Sequence, residues 1–140
     1  MATKARKGKA EAGNGAPEPR GELVIRTLAM PADTNPNGDI FGGWVLGQMD
    51  IAGGTFCFGH AKGRVATVGV ESMSFHEPVR VGDVLCCYVE LLRVGRTSMT
   101  TNIVAWVLRR ASGERVRVTE GRFSYVAIDG QGRPRPVPAR

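Results

Sequence analysis

The chain has no run of about 18 consecutive apolar residues, which excludes a membrane-spanning helix. Aromatic residues fill only 6% of its 140 positions, and histidine occurs twice, at His60 and His76. Two isolated histidines without ligand spacing give no metal-binding pattern. Cysteine is equally sparse. Cys57, Cys86 and Cys87 are odd in number and lack C-x-x-C spacing, which argues against a disulfide framework and a zinc knuckle. Cys86 and Cys87 are neighbours on a strand-like stretch, so they point to opposite faces. All three are expected to be small buried hydrophobes in a reducing compartment. Catalytic signatures are missing too. No G-x-S-x-G occurs, and Ser72, Ser74, Ser98, Ser112 and Ser124 sit in no nucleophile elbow. Neither a phosphate-binding G-x-x-x-x-G-K-[ST] nor a strand-anchored G-x-G-x-x-G is present, which argues against nucleotide chemistry of those types.

Charge of one sign is lacking where a nucleic-acid reader would need it. The net charge is +6, but residues 21–130 carry eleven basic and eleven acidic side chains. The excess lies at the ends. Residues 1–20 hold five basic and two acidic residues, and residues 131–140 hold three arginines and no acid. A neutral centre argues against a DNA or RNA partner, and basic tails are expected to be solvated. The opening "MATKARKGKAEAGNGAPEPRG" has no apolar core of a secretory signal, and its Glu11 and Glu18 are unusual for an organellar transit peptide. The expected organisation is a basic leader over 1–20, one folded domain over 21–130 and a basic, Pro-rich tail over 131–140. The expected location is the cytoplasm.

Within the domain, "ELVIRTLAM" (22–30) reads as a strand. "PADTNPNGD" is dense in turn formers, with Asn35 and Asn37 expected to shape a loop through side-chain to backbone bonds. Trp44, Val45, Met49, Ile51, Ala52, Phe56 and Phe58 then spread around a helical wheel from about Gly42 to about His60. Apolar residues on nearly every face predict a buried helix. Its Gly47, Gly53 and Gly54 each lower helix propensity by roughly 1 kcal/mol, which implies something packed close to the backbone. Four strand-like stretches follow, at 64–75, 83–94, 97–110 and 115–129. The short links Gly95-Arg96 and "ASGE" read as hairpin turns. The pattern predicts an α+β fold, one helix against a five-stranded antiparallel sheet whose last four strands run as a meander. One helix cannot hide its own apolar circumference and cover both sheet faces, so self-association, most simply a two-fold dimer, is expected.

Three long pieces carry a resemblance: "TLAMPADTNPNGDIFGGWVLGQMDIAGG", "FHEPVRVGDVLCCYVELLRVGRTSMT" and "YVAIDGQGRPRPVP". Their order and spacing over roughly residues 22–138 resemble the hotdog-fold acyl-CoA thioesterases of the bacterial YciA type. The resemblance implies a long helix wrapped by an antiparallel sheet, edge-to-edge dimers, and further assembly, often as hexamers (trimers of dimers). It implies hydrolysis of acyl-CoA to free acid and CoA, broad in acyl length, with no metal or organic cofactor.

Thioester hydrolysis needs an activated water or a nucleophile, and a donor for the oxygen that becomes negative. Gly42 and Gly43 open the helix, where backbone N–H groups lack intrahelical partners and the dipole is positive. A carbonyl placed there meets an oxyanion hole, and glycine lets it approach closely. The resemblance assigns the catalytic carboxylate, as general base or nucleophile, to Asp39 in "NGDIFGG"; the plainer reading is a helix cap. Asp50, two turns into the helix, ranks second, as an acid that is either functional or paired. For the CoA phosphates the candidates are Arg64, Arg96, Thr97 and Ser98 in or near the "GRTS" turn, and Arg135. Each arginine, taken alone, reads equally well as an exposed charge. His76 reads as surface or loop packing unless a dimer brings it to the site. Two other readings compete: a hotdog hydratase, whose expected histidine this sequence lacks, and a non-catalytic acyl-CoA sensor.

Overall fold

The computed structural model describes residues 18–138, so the expected leader lies outside it except for its last three residues. Strand β1 (Glu22–Leu28) is followed by a 3-10 turn (Pro31–Asp33) and the helix α1 (Gly42–Ala61). Strands β2 (Val65–Phe75), β3 (Val84–Val94), β4 (Ser98–Leu108) and β5 (Arg115–Ala127) complete the chain. They form one antiparallel sheet in the order β1-β3-β4-β5-β2.

This order corrects the four-strand meander. Only β3, β4 and β5 follow one another as hairpins; β2 crosses over and pairs with β5 at the far edge. The eight residues 76–83 between β2 and β3 are few enough for a hairpin, but burial decides otherwise. β4 carries an unbroken buried run from Ile103 to Val107 and takes the centre of the sheet. β2 is exposed along most of its length, as an edge strand is. The β3–β4 turn also sits one residue later than the sequence suggests. Gly95 N–H donates to the Ser98 carbonyl at 2.8 Å, leaving Arg96 and Thr97 as the loop pair. In the β4–β5 link, Gly113 takes φ +72°, which suits a residue without Cβ.

Helix α1 turns Val45, Met49, Ala52, Gly53, Cys57 and Ala61 toward the sheet. These fall at three- and four-residue steps, one stripe of a helix. Ile51 and Phe58 on the outer side are each 53% exposed, so one chain alone does not bury the apolar circumference. The close approach implied by the helical glycines occurs at Gly53. A Cβ there would overlap the Tyr125 hydroxyl and come within 2.6 Å of Ile103 Cδ1. Gly47 faces open space instead. The helix stops at Lys62, which adopts the left-handed conformation at φ 56° and returns its N–H to the Phe58 carbonyl.

Residues 131–138 differ from the expected solvated tail. Ile128 bridges to Pro134, Arg135 N–H donates to the Ala127 carbonyl, and Val137 N–H to the Arg96 carbonyl. Val137 also packs against the core. The tail is held because these backbone donors extend the pairing at the end of the sheet.

Candidate active site

The loop before α1 is built around Asn35. Its Oδ1 accepts the backbone N–H groups of Asn37 at 2.9 Å and Asp39 at 3.1 Å. Its own N–H donates to the Asp39 carbonyl at 2.7 Å. Ile40 and Phe41 spend their N–H groups on the carbonyls of Val79 and Asp33. The chain therefore enters the helix with Gly42 and Gly43 carrying the first uncommitted donors among the described residues. A Cβ at either position would meet nothing within 4 Å, so the helix start faces open space. The Asp39 side chain is exposed and makes no hydrogen bond among the described residues. It is not the helix cap: Phe41 occupies that position without a side-chain bond.

A cleft of about 280 Å³ opens beside this helix start. Ile40, Val45, Phe75, Val79 and Val118 give it apolar walls, Gly42 lies in its lining, and His76 and Glu77 border it. His76, expected as loop packing, thus sits on the cleft. The loop 76–83 that forms one wall is braced from behind. Asp83 is buried and accepts from the Arg109 guanidinium and from the Arg80 N–H, and Arg109 also approaches Glu77 at 4.0 Å. The aromatic and Met residues of the helix divide differently. Met49 is core, Trp44 and Phe56 pack partly against it, and Phe58 is exposed.

Asp50 is the better-held of the two acids. Its Oδ1 accepts the Thr67 hydroxyl at 2.7 Å and the Tyr125 hydroxyl at 3.0 Å. The Tyr125 hydroxyl also lies 3.2 Å from the Asp50 carbonyl. Burial, the nearby Asp50 charge and this hydrogen bond push the Tyr125 phenol up, so it remains a proton donor. No donor reaches Oδ2 among the described residues. Sequence reasoning named neither Thr67 nor Tyr125. The signal for Tyr125 was available: it shares the inward face of β5 with Phe123 and Ala127, and a buried tyrosine hydroxyl needs an acceptor.

The candidates for CoA gather elsewhere, near the C-terminal end of α1. Arg64 donates to the carbonyls of Asp129 and Gly130, both at 3.3 Å. The Thr97 carbonyl is bonded by Ala127 N–H, which places the Arg96-Thr97-Ser98 turn beside Arg64 and Arg135. Arg96 is exposed. Arg135 is committed otherwise. Its guanidinium donates to the carbonyls of Ile128 at 3.1 Å, Pro136 at 3.3 Å and Ala61 at 2.9 Å, the last ending the helix. It satisfies an orphan carbonyl and sits at the negative end of the dipole. Gly63 makes room for it, since a Cβ there would lie 2.6 Å from Arg135 Nη2. A 20-residue helix is ~30 Å long, so one chain holds this basic group and the Gly42–Gly43 donors at opposite ends.

Two of the three cysteines are poor nucleophiles. Burial pushes the Cys57 and Cys87 thiols up to about 12. No cluster of three or more potential metal ligands occurs among the described residues.

Residues 37–113 match the thioesterase superfamily. The chain is 56% identical over 125 residues to the acyl-CoA thioester hydrolase YciA of Salmonella typhimurium, covering 87% of this chain and 94% of that protein. It is 55% identical over 123 residues to the Escherichia coli YciA, covering 86% and 93%. Among solved structures, a hexameric broad-specificity acyl-coenzyme A thioesterase superposes with a TM-score of 0.86 at 49% identity, over 91% of this chain and 88% of the other. A hexameric thioesterase of Yersinia pestis gives 0.84 at 55% identity, over 88% and 100%. With its wrapped helix, its open helix start and these likenesses along most of its length, the chain belongs to the thioesterase superfamily, among the acyl-CoA thioester hydrolases of the YciA type.

Proposed function

We propose that this protein hydrolyses acyl-CoA thioesters to a free acid and CoA, across a broad range of acyl lengths, at sites shared between two protomers. One observation carries the shared site. The free donors of Gly42 and Gly43 and the basic group around Arg64 and Arg96 lie at opposite ends of α1, yet flank opposite ends of the same edge strand, β2, which is paired with β5 on one side only. When two β2 strands pair antiparallel about a two-fold axis, the start of one lies beside the end of the other. The helix start and apolar cleft of one protomer then meet Thr67, Asp50 and the basic turn of its partner. The exposed Val68 and Val70 on β2 and Ile51 and Phe58 on α1 supply the apolar surface for that contact. Further assembly of dimers into a hexamer follows the relatives.

In this arrangement the thioester carbonyl points at the Gly42 and Gly43 N–H groups. The Asp50 carboxylate of the partner acts on the carbonyl carbon, either by taking a proton from water or by direct attack. The oxygen becomes negative, the N–H pair stabilises it, and the C–S bond breaks with CoA leaving as thiolate. Asp50 is preferred to Asp39 because its carboxylate is oriented by two hydroxyls, whereas Asp39 has no partner to hold it among the described residues. Arg64, Arg96, Thr97 and Ser98 are assigned to the CoA phosphates, and Arg135 to the framework. No cofactor takes part. The domain spans residues 21–130 with the packed segment to 138, and the expected compartment is the cytoplasm, in keeping with three unpaired cysteines.

The test is a panel of acyl-CoA substrates from acetyl to palmitoyl, following released thiol, with wild type, Asp50→Asn and Asp39→Asn. Turnover by wild type that collapses in Asp50→Asn and survives in Asp39→Asn supports the reading. Collapse in Asp39→Asn alone returns the chemistry to the loop. Binding without turnover by wild type favours an acyl-CoA sensor.

A further inference from the structure

We propose that Tyr125 is a positioning residue for this hydrolysis, its hydroxyl fixing which oxygen of the Asp50 carboxylate faces the substrate. The proposal rests on Asp50 as the reacting carboxylate. Tyr125 belongs to the sheet, Asp50 to the helix, and the hydroxyl bridges them through Asp50 Oδ1 at 3.0 Å and the Asp50 carbonyl at 3.2 Å. The ring has no freedom to wander: Tyr125 is fully buried in the core, its hydroxyl against Gly53 of α1. The helix surface is cut to admit the oxygen. Gly53, three residues after Asp50 and on the same face, is the position where any Cβ would overlap that hydroxyl.

Thr67 donates from β2 to the same Oδ1. Two donors hold Oδ1, and no donor reaches Oδ2 among the described residues, which leaves Oδ2 for the substrate. An aspartate on a helix otherwise samples several rotamers, and a reacting group must hold its geometry to a fraction of an ångström. Tyr125 supplies that hold from a rigid strand. A bland alternative is that the hydroxyl merely satisfies itself, as buried tyrosines must. The two differ in what they change: a self-satisfying hydroxyl affects stability alone, whereas a positioning hydroxyl affects kcat.

Tyr125→Phe removes one oxygen and adds no volume. The expected result is a fall in kcat of about tenfold to a hundredfold, with KM, oligomer mass and circular dichroism unchanged. Combined with Asp50→Asn, it should lower the residual rate no further; combined with Asp39→Asn, its factor should persist. Wild-type kcat in Tyr125→Phe beside an inactive Asp50→Asn overturns the proposal while leaving Asp50 in place. Full turnover by Asp50→Asn removes the underlying reading and the proposal with it. If Tyr125→Phe does not assemble, Gly53→Ala, whose methyl displaces the hydroxyl, decides by the same kcat criterion.

Discussion

At the residue scale the informative positions are those where one atom more or less matters. Gly53→Val would add two methyl groups beyond a Cβ that itself drives into Tyr125 and Ile103. Both are locked in a packed core, so the expected cost is about 1–3 kcal/mol, read as a lower Tm. Gly42→Pro is gentler and more specific. Gly42 is the first helical residue, a position that accepts proline because its N–H has no intrahelical partner. Phe41 before it already has φ −57° and ψ 133°, the extended geometry a following proline demands. The variant should therefore fold and assemble while losing one oxyanion donor, with kcat down about 10²–10³-fold. The thiols give a pH-linked check. With Cys57 and Cys87 pushed up to about 12 by burial, neither forms a thiolate at pH 8. A disulfide reagent should leave both unmodified in the native protein and titrate all three cysteines after denaturation.

At the element scale, β2 carries the proposed assembly. It is an 11-residue edge strand with Val68 60% exposed, the kind of edge that proteins otherwise protect. Val68→Glu should leave the sheet intact, convert the assembly to monomers on size exclusion and abolish turnover. The C-terminal segment gives the opposite case, an element stabilised from within. Asp129 accepts the backbone N–H groups of Arg133 and Gln131, which hold its carboxyl below the usual carboxylate range. A carboxyl depressed by folding contributes stability above its unfolded pKa and loses it as pH falls through the folded value. The protection factors at Gln131 and Arg133, that is, exchange relative to the intrinsic rate at each pH, should accordingly fall only in acid. Much of this scale was legible beforehand: α1 begins at the expected Gly42, and β2 to β5 lie within the expected stretches. The strand order was not legible, because an eight-residue link permits a hairpin or a crossover, and only side-chain burial in three dimensions chooses.

At the scale of the whole molecule, a shared site makes a prediction that a site within one chain does not. Asp50→Asn lacks the carboxylate and Gly42→Pro lacks the donor, so each homo-oligomer should be nearly inactive. Dissociated and reassembled together in equal amounts, they form mixed dimers in which one of the two sites draws both good halves. Recovery of about a quarter of wild-type activity is expected from two-fold statistics. Recovery of none, with mixed dimers demonstrated by mass, would place both halves in one protomer.

The sequence by itself determined the elements, the α+β class and the family, and offered candidates for the two parts of the chemistry. Local turn residues, a 3.6-residue apolar pattern and the "NGDIFGG" stretch act over short range and leave marks along the chain. The order of the strands, the packing of residues 131–138 and the commitment of Arg135 to the Ala61 carbonyl needed the tertiary structure. So did the difference between the two acids. Asp39 and Asp50 look alike in a sequence, since ionisation and size are the same. Only the fold brings the hydroxyls of Thr67, 17 positions on, and Tyr125, 75 positions on, to a single oxygen of one of them.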